Sequence, residues 1–126
     1  MGCAGIEAVG QIAIAVTDVN KSLAFYRDVL GLQFLFQPSP ELAFLDCGGV
    51  RLMLTTLQGE ERDHKTSAIY YRVADIAAAT EHIKAQGIEF VREPQMVAKM
   101  PDHDLWMGFV RDPDETLVGI MAEVRE

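Results

Sequence analysis

A short pattern occurs twice in this chain, and it limits the available folds more than any other feature. Val16-Thr17-Asp18 opens a stretch that closes with Gly31-Leu32-Gln33-Phe34, and Val73-Ala74-Asp75 opens one that closes with Gly87-Ile88-Glu89-Phe90. In each copy an alternating, β-branched segment leads into an aspartate suited to cap a helix. A glycine then stands where helices commonly end in a left-handed residue. Order, caps and the nearly equal spacing point to internal duplication of one supersecondary unit.

The elements around these anchors follow from periodicity. Gln11-Ile12-Ala13-Ile14-Ala15-Val16 alternates as a half-buried strand does, and Val19, Leu23, Tyr26 and Leu30 recur at helical spacing over residues 19–30. Extended segments are expected at 33–37, 42–47 and 50–56, separated by the turn signals Pro38-Ser39-Pro40 and Gly48-Gly49. Residues 58–66 are polar, lack apolar periodicity and read as a linker. The pattern then restarts with a strand at Ile69-Tyr70-Tyr71-Arg72-Val73. A helix over 76–86 follows, with Ile76, Ala79, Thr80 and Ile83 on one side, and extended segments are expected at 88–92, 104–111 and 116–124. Both halves read β-α-β-β-β.

At 126 residues, about half of them hydrophobic, the chain can bury one core, and a single domain over 1–126 is expected. Module one would occupy about 9–57, the linker about 58–66 and module two about 67–126. Two cysteines, Cys3 and Cys47, make neither a disulfide framework nor a zinc site, which suits a reducing compartment. No apolar run reaches the roughly 18 residues needed to cross a bilayer, and the N-terminus lacks a secretory pattern, so a soluble cytoplasmic protein is expected. A net charge of −8 with no basic stripe argues against nucleic acid as a partner.

Strand parity separates two sheet faces. Ile12, Ile14, Val16, Leu52, Leu54, Ile69, Tyr71, Val73, Val118 and Ile120 share the apolar parity and are expected beneath the helices. The opposite parity collects Gln11, Ala13, Ala15, Arg51, Met53, Thr55, Ala68, Tyr70, Arg72, Leu117, Gly119 and Met121. Such a mixture fits a ligand cavity with a few orienting polar groups, or an ordinary solvated face.

The segment 11–18, followed by Ser22-Leu23-Ala24-Phe25-Tyr26-Arg27-Asp28-Val29-Leu30-Gly31-Leu32, resembles the opening signature of the vicinal oxygen chelate superfamily, which includes glyoxalases, bleomycin-resistance proteins and extradiol dioxygenases. Phe109-Val110-Arg111-Asp112-Pro113-Asp114 is similar to the turn before that family's last strand, except that Glu115 stands where the family prefers glycine. The resemblance implies an α+β fold: two tandem βαβββ modules forming a curved mixed sheet around one cavity, with the helices on the outer face. It also implies four inward metal-ligand positions, matched here by Gln11, Met53, Ala68 and Gly119. Alanine and glycine offer no ligand atoms and a thioether suits soft metals, so neither a metal nor another cofactor is expected.

A metal-free, glyoxalase/bleomycin-resistance-like protein that binds a small organic ligand in a concave pocket is the leading expectation. Gln11, Arg51, Met53, Tyr70, Arg72, Trp106 and Gly119 are its candidate ligand-binding residues. Arg51 and Arg72 could hold a carboxylate or phosphate, or lie at a rim with their heads in water. Tyr70 and Trp106 could stack a planar ligand or pack internally. Gly119 marks a close approach by a ligand, or by Met53 or Trp106 filling the space. His103 is the candidate catalytic acid or base, with a surface position as its competing reading, whereas His64 and His82 are expected in solvent. The alternative function is a lyase, isomerase or dioxygenase of the same superfamily, using an atypical metal site or a metal-free acid/base. A purely structural or regulatory module is the third reading. A homodimer is expected from the family habit of pairing modules and from the need to cover open sheet edges.

Overall fold

The protein is described by a computed structural model covering residues 5, 8–57, 59–60 and 67–125; Cys3 and His64 lie outside the described residues. The chain divides into two compact units, residues 1–64 and 65–126.

In the first unit, β1 (Gln11–Ala15) leads through α1 (Val19–Leu23) and a π-helical continuation, Ala24–Val29, to β2 (Gln33–Ser39), β3 (Leu42–Cys47) and β4 (Val50–Thr55). The sheet order is β1-β4-β3-β2, with β1 parallel to β4 and the other pairs antiparallel. The second unit repeats this design with β5 (Ile69–Arg72), α2 (Ile76–Ala85), β6 (Arg92–Lys99), β7 (Asp104–Arg111) and β8 (Leu117–Val124), in the order β5-β8-β7-β6. The architecture is α+β, made of two tandem βαβββ modules with open four-stranded mixed sheets.

The two capping aspartates act as their sequence positions indicate. Asp18 accepts the Lys21 backbone N–H at 3.2 Å and Asp75 accepts that of Ala78 at 3.1 Å, contacts typically worth about 1 kcal/mol each. The first helix departs from the uniform period expected over 19–30. The Leu30 N–H bonds to the Phe25 carbonyl five residues back, at 3.0 Å. This wider turn buries the consecutive residues Phe25 and Tyr26, with their rings edge to face at 5.1 Å.

Each helix covers the apolar face of its sheet. Ile14, Val16, Leu52 and Leu54 are buried in the first unit with Ala43 and Leu45; Tyr71, Val118 and Ile120 are buried in the second with Ile83, Val110 and Ala122. Each buried large aliphatic side chain is worth about 1.5–3 kcal/mol before conformational entropy is counted.

Two expected boundaries move. The strand expected at 88–92 begins instead at Arg92 and runs to Lys99, because antiparallel pairing with β7 starts at Arg92 opposite Phe109. Pro94 has no N–H to donate, and the register shifts between Arg92 and Gln95. The turn expected at Pro38-Ser39-Pro40 also shifts: β2 continues to Ser39, which pairs with Leu42, leaving Pro40 and Glu41 as the hairpin loop.

Candidate functional site

On the face of the first sheet opposite α1, β1 and β4 bring Gln11 and Arg51 into register as ladder partners. The Arg51 Nε–H donates to Gln11 Oε1 at 3.0 Å, and the Gln11 amide nitrogen lies 3.6 Å from Met53 Sδ. Met53 and Asp46 place β3 beside this pair, with Phe44 opposite Met53 and Asp46 opposite Arg51. The guanidinium carbon of Arg51 stands 5.1 Å from the Phe44 ring centroid, a cation–π geometry. Phe36 on β2 extends the apolar surface, its ring centroid 4.8 Å from that of Phe44.

Gln11, Arg51 and Met53 are therefore brought together. Phe44 and Phe36 join them although neither was among the sequence candidates. Alternation along 42–47 carries the signal: Ala43 and Leu45 are fully buried beneath the helix, so Phe44 must face the other way.

On the corresponding face of the second sheet, Tyr70 pairs with Gly119 and Arg72 with Met121. Tyr70 is the group that approaches Gly119: a Cβ there would lie 2.6 Å from Tyr70 Cδ2. The Tyr70 ring meets Phe109 edge to face at 5.7 Å. Trp106 does not join this set. It pairs with Ala122, and Ala122 shares its parity with the buried Val118 and Ile120, so Trp106 projects from the face that carries α2. Of its two readings, ligand stacking and internal packing, this face suits the second; cross-strand register assigns it, which alternation within 104–111 alone does not.

Arg72 borders a shallow depression of about 340 Å³ with Val73, Ala74, Glu123 and Arg125. Arg125 donates to Glu123 at 3.1 Å and to Asp102 at 3.3 Å, and the other carboxylate oxygen of Asp102 lies 2.7 Å from His103 Nδ1. The hydrogen bond from His103, followed by that from Arg125, holds the Asp102 carboxyl below its ordinary range. His103 thus has an aspartate orienting one ring nitrogen, with its side chain 12 % exposed. His82 is exposed on α2, as expected.

The sequence profile of the Glyoxalase/Bleomycin resistance protein/Dioxygenase superfamily matches residues 8–120. The chain belongs to this superfamily. It is 35% identical over 72 residues to a metallothiol transferase FosB of Staphylococcus haemolyticus, a match covering 57% of this chain and 48% of that protein. The chain thus spans about half the length of the metallothiol transferases it matches. A probable lactoylglutathione lyase of Vibrio cholerae is 32% identical over 120 residues, covering 86% of this chain and 85% of the relative. The crystal structure of a lactoylglutathione lyase from Agrobacterium tumefaciens superposes with a TM-score of 0.75 at 18% identity, covering 93% of this chain and 94% of that one. This last likeness is one of fold.

The metal site implied by membership of the glyoxalase superfamily does not fit the side chains present. In the first unit the amide oxygen of Gln11 already faces the Arg51 guanidinium, which would repel an arriving cation, and Met53 offers only a thioether. In the second unit Ala68 carries no donor, and the Tyr70 ring fills the space above Gly119. Among the described residues, no group of three or more His, Cys, Asp or Glu side chains is placed to hold a metal ion.

Proposed function

We propose that this glyoxalase-superfamily protein binds a small organic molecule on the face of its first sheet opposite α1, without a resident divalent cation. The observation that carries the reading is the Gln11–Arg51–Phe44 arrangement. A cation fixed along one edge and over one ring, beside Met53 and Phe36, is an orienting polar group in an apolar setting. The test is elemental analysis of protein purified without chelator or added metal, followed by a small-molecule screen read by backbone amide NMR. The expected result is no stoichiometric divalent metal, with ligand-induced shifts at residues 11, 44, 51 and 53. A stoichiometric divalent metal, lost together with a measurable activity, overturns it.

A second reading, an enzyme, is favoured by one observation: Asp102 fixes one nitrogen of His103, as an orienting carboxylate does for a general acid or base. The superfamily relatives named as a transferase and a lyase support the same direction. Under this reading His103→Ala abolishes turnover while leaving the first-sheet amide shifts intact. A homodimer is part of the same proposal, because each four-stranded sheet has edge strands of the kind that partner copies cover, and the scarcity of cysteines suits a reducing, cytoplasmic setting. Native mass spectrometry reads the stoichiometry directly.

A further inference from the structure

The way Arg51 is held bears on the class of ligand, an inference that rests on the first sheet being a binding face. The Nε edge of Arg51 is committed to Gln11 at 3.0 Å, and its planar group stands 5.1 Å from the Phe44 centroid. Its two terminal nitrogens have no hydrogen-bond or ion-pair partner among the described residues. Asp46, directly across the ladder, is the natural internal partner, yet its carboxylate accepts the Gly49 N–H at 3.4 Å and makes no ion pair with Arg51. The remaining Nη pair is the edge of a guanidinium that matches a planar carboxylate with two parallel hydrogen bonds.

The surroundings say what such a carboxylate would be attached to. Phe36 and Phe44 pack at 4.8 Å with their planes 30° apart, and Phe36 is 48% exposed, an apolar wall beside the fork. Met53, opposite Phe44, adds a polarisable thioether. The protein's net charge of −8 does not steer anions toward it, but at physiological salt the screening length is about 8 Å, so distant carboxylates weigh little against a direct contact. Pre-fixing the guanidinium through Gln11 also lowers the entropy lost when a ligand docks.

We propose that the first-sheet site takes a carboxylate borne on a flat apolar body, an aryl or arylalkyl carboxylate, with Arg51 as its anchor. The test compares phenylacetate with its neutral isostere phenylacetamide, titrated into the full chain and followed by amide shifts in β1, β3 and β4. Phenylacetate is expected to bind at least ~10-fold more tightly than phenylacetamide, and Arg51→Gln to weaken phenylacetate ~10- to 100-fold while leaving phenylacetamide unchanged. Arg51→Lys, which keeps the charge but loses the fork, should fall between the two, and Asp46→Asn should tighten phenylacetate. These last two variants carry the test if Arg51→Gln does not fold. Equal binding of the two probes, or affinity for phenylacetate that is indifferent to residues 51 and 46, overturns the carboxylate assignment while the binding face stands. If neither probe shifts any amide of these strands, the binding face and the assignment fall together.

Discussion

The ring of Tyr70 lies on Gly119 so closely that a Cβ at that position would sit 2.6 Å from Cδ2 and 2.9 Å from Cγ. β5 and β8 are parallel neighbours with these residues in register, and the missing side chain on one strand is the seat for the aromatic ring on the other. Gly119→Ala is therefore expected to force Tyr70 to rotate and to cost about 1–3 kcal/mol, the range for overpacking. Urea unfolding checks this. In a Tyr70→Ala background most of the cost should vanish, and equal costs in both backgrounds would show that the ring is not what Gly119 accommodates.

Gly108 and Pro94 form a second close pair, across β6 and β7, and this one includes a backbone atom. A Cβ at Gly108 would meet the Pro94 ring at 2.7 Å and its backbone nitrogen at 2.8 Å. Since backbone is involved and cannot swing aside, Gly108→Ala should destabilise more than Gly119→Ala, by about 3 kcal/mol or a little over. The comparison of the two midpoints in one denaturant series decides the ranking.

Glu115 holds a φ of 66°, the left-handed region, in the turn before β8. Asp112 organises that turn by accepting the N–H groups of Asp114 and Thr116, both at 2.9 Å, and Arg111 donates to the Glu115 carbonyl at 3.0 Å. None of these contacts uses the Glu115 side chain. Glu115→Gly removes a left-handed strain of about 1–2 kcal/mol and gives back part of it as unfolded-chain entropy, so a net gain of up to about 1 kcal/mol is expected. A higher urea midpoint with an unchanged slope would register it.

Burial pushes the Cys47 thiol up from its ordinary value, and the neighbouring Asp46 carboxylate adds to the shift. Alkylation by iodoacetamide should be slower than for an unfolded cysteine at the same pH, and faster in Asp46→Asn. The linkage has a definite sign: a thiol whose folded pKa is raised contributes stability fully below its unfolded value, about 8.5, and loses it as pH rises through the folded value. Stability that falls less steeply above pH ~8.5 in Cys47→Ala than in the parent would match that sign.

Short-range chemistry made much of the fold legible in the amino-acid sequence. Asp18 and Asp75 reach N–H groups three residues away, and Gly31 and Gly87 take φ values of 80° and 81° where the helical segments end. Alternation along β1, β4, β5 and β8 likewise separated the helix-covered residues from Gln11, Arg51, Met53, Tyr70 and Arg72. Tertiary structure decided what depends on pairing between distant strands. Gln11 and Arg51 are 40 residues apart, and alternation says only that each shares a parity with its own strand's neighbours. Their hydrogen bond, the ring of Phe44 beside the guanidinium, the face taken by Trp106 and the start of β6 at Arg92 all follow from register. Periodicity within a segment is a property of the local backbone; which side chains meet across a ladder is set by packing of the whole sheet, and at Gly108 and Gly119 by the volume of one residue on a neighbouring strand.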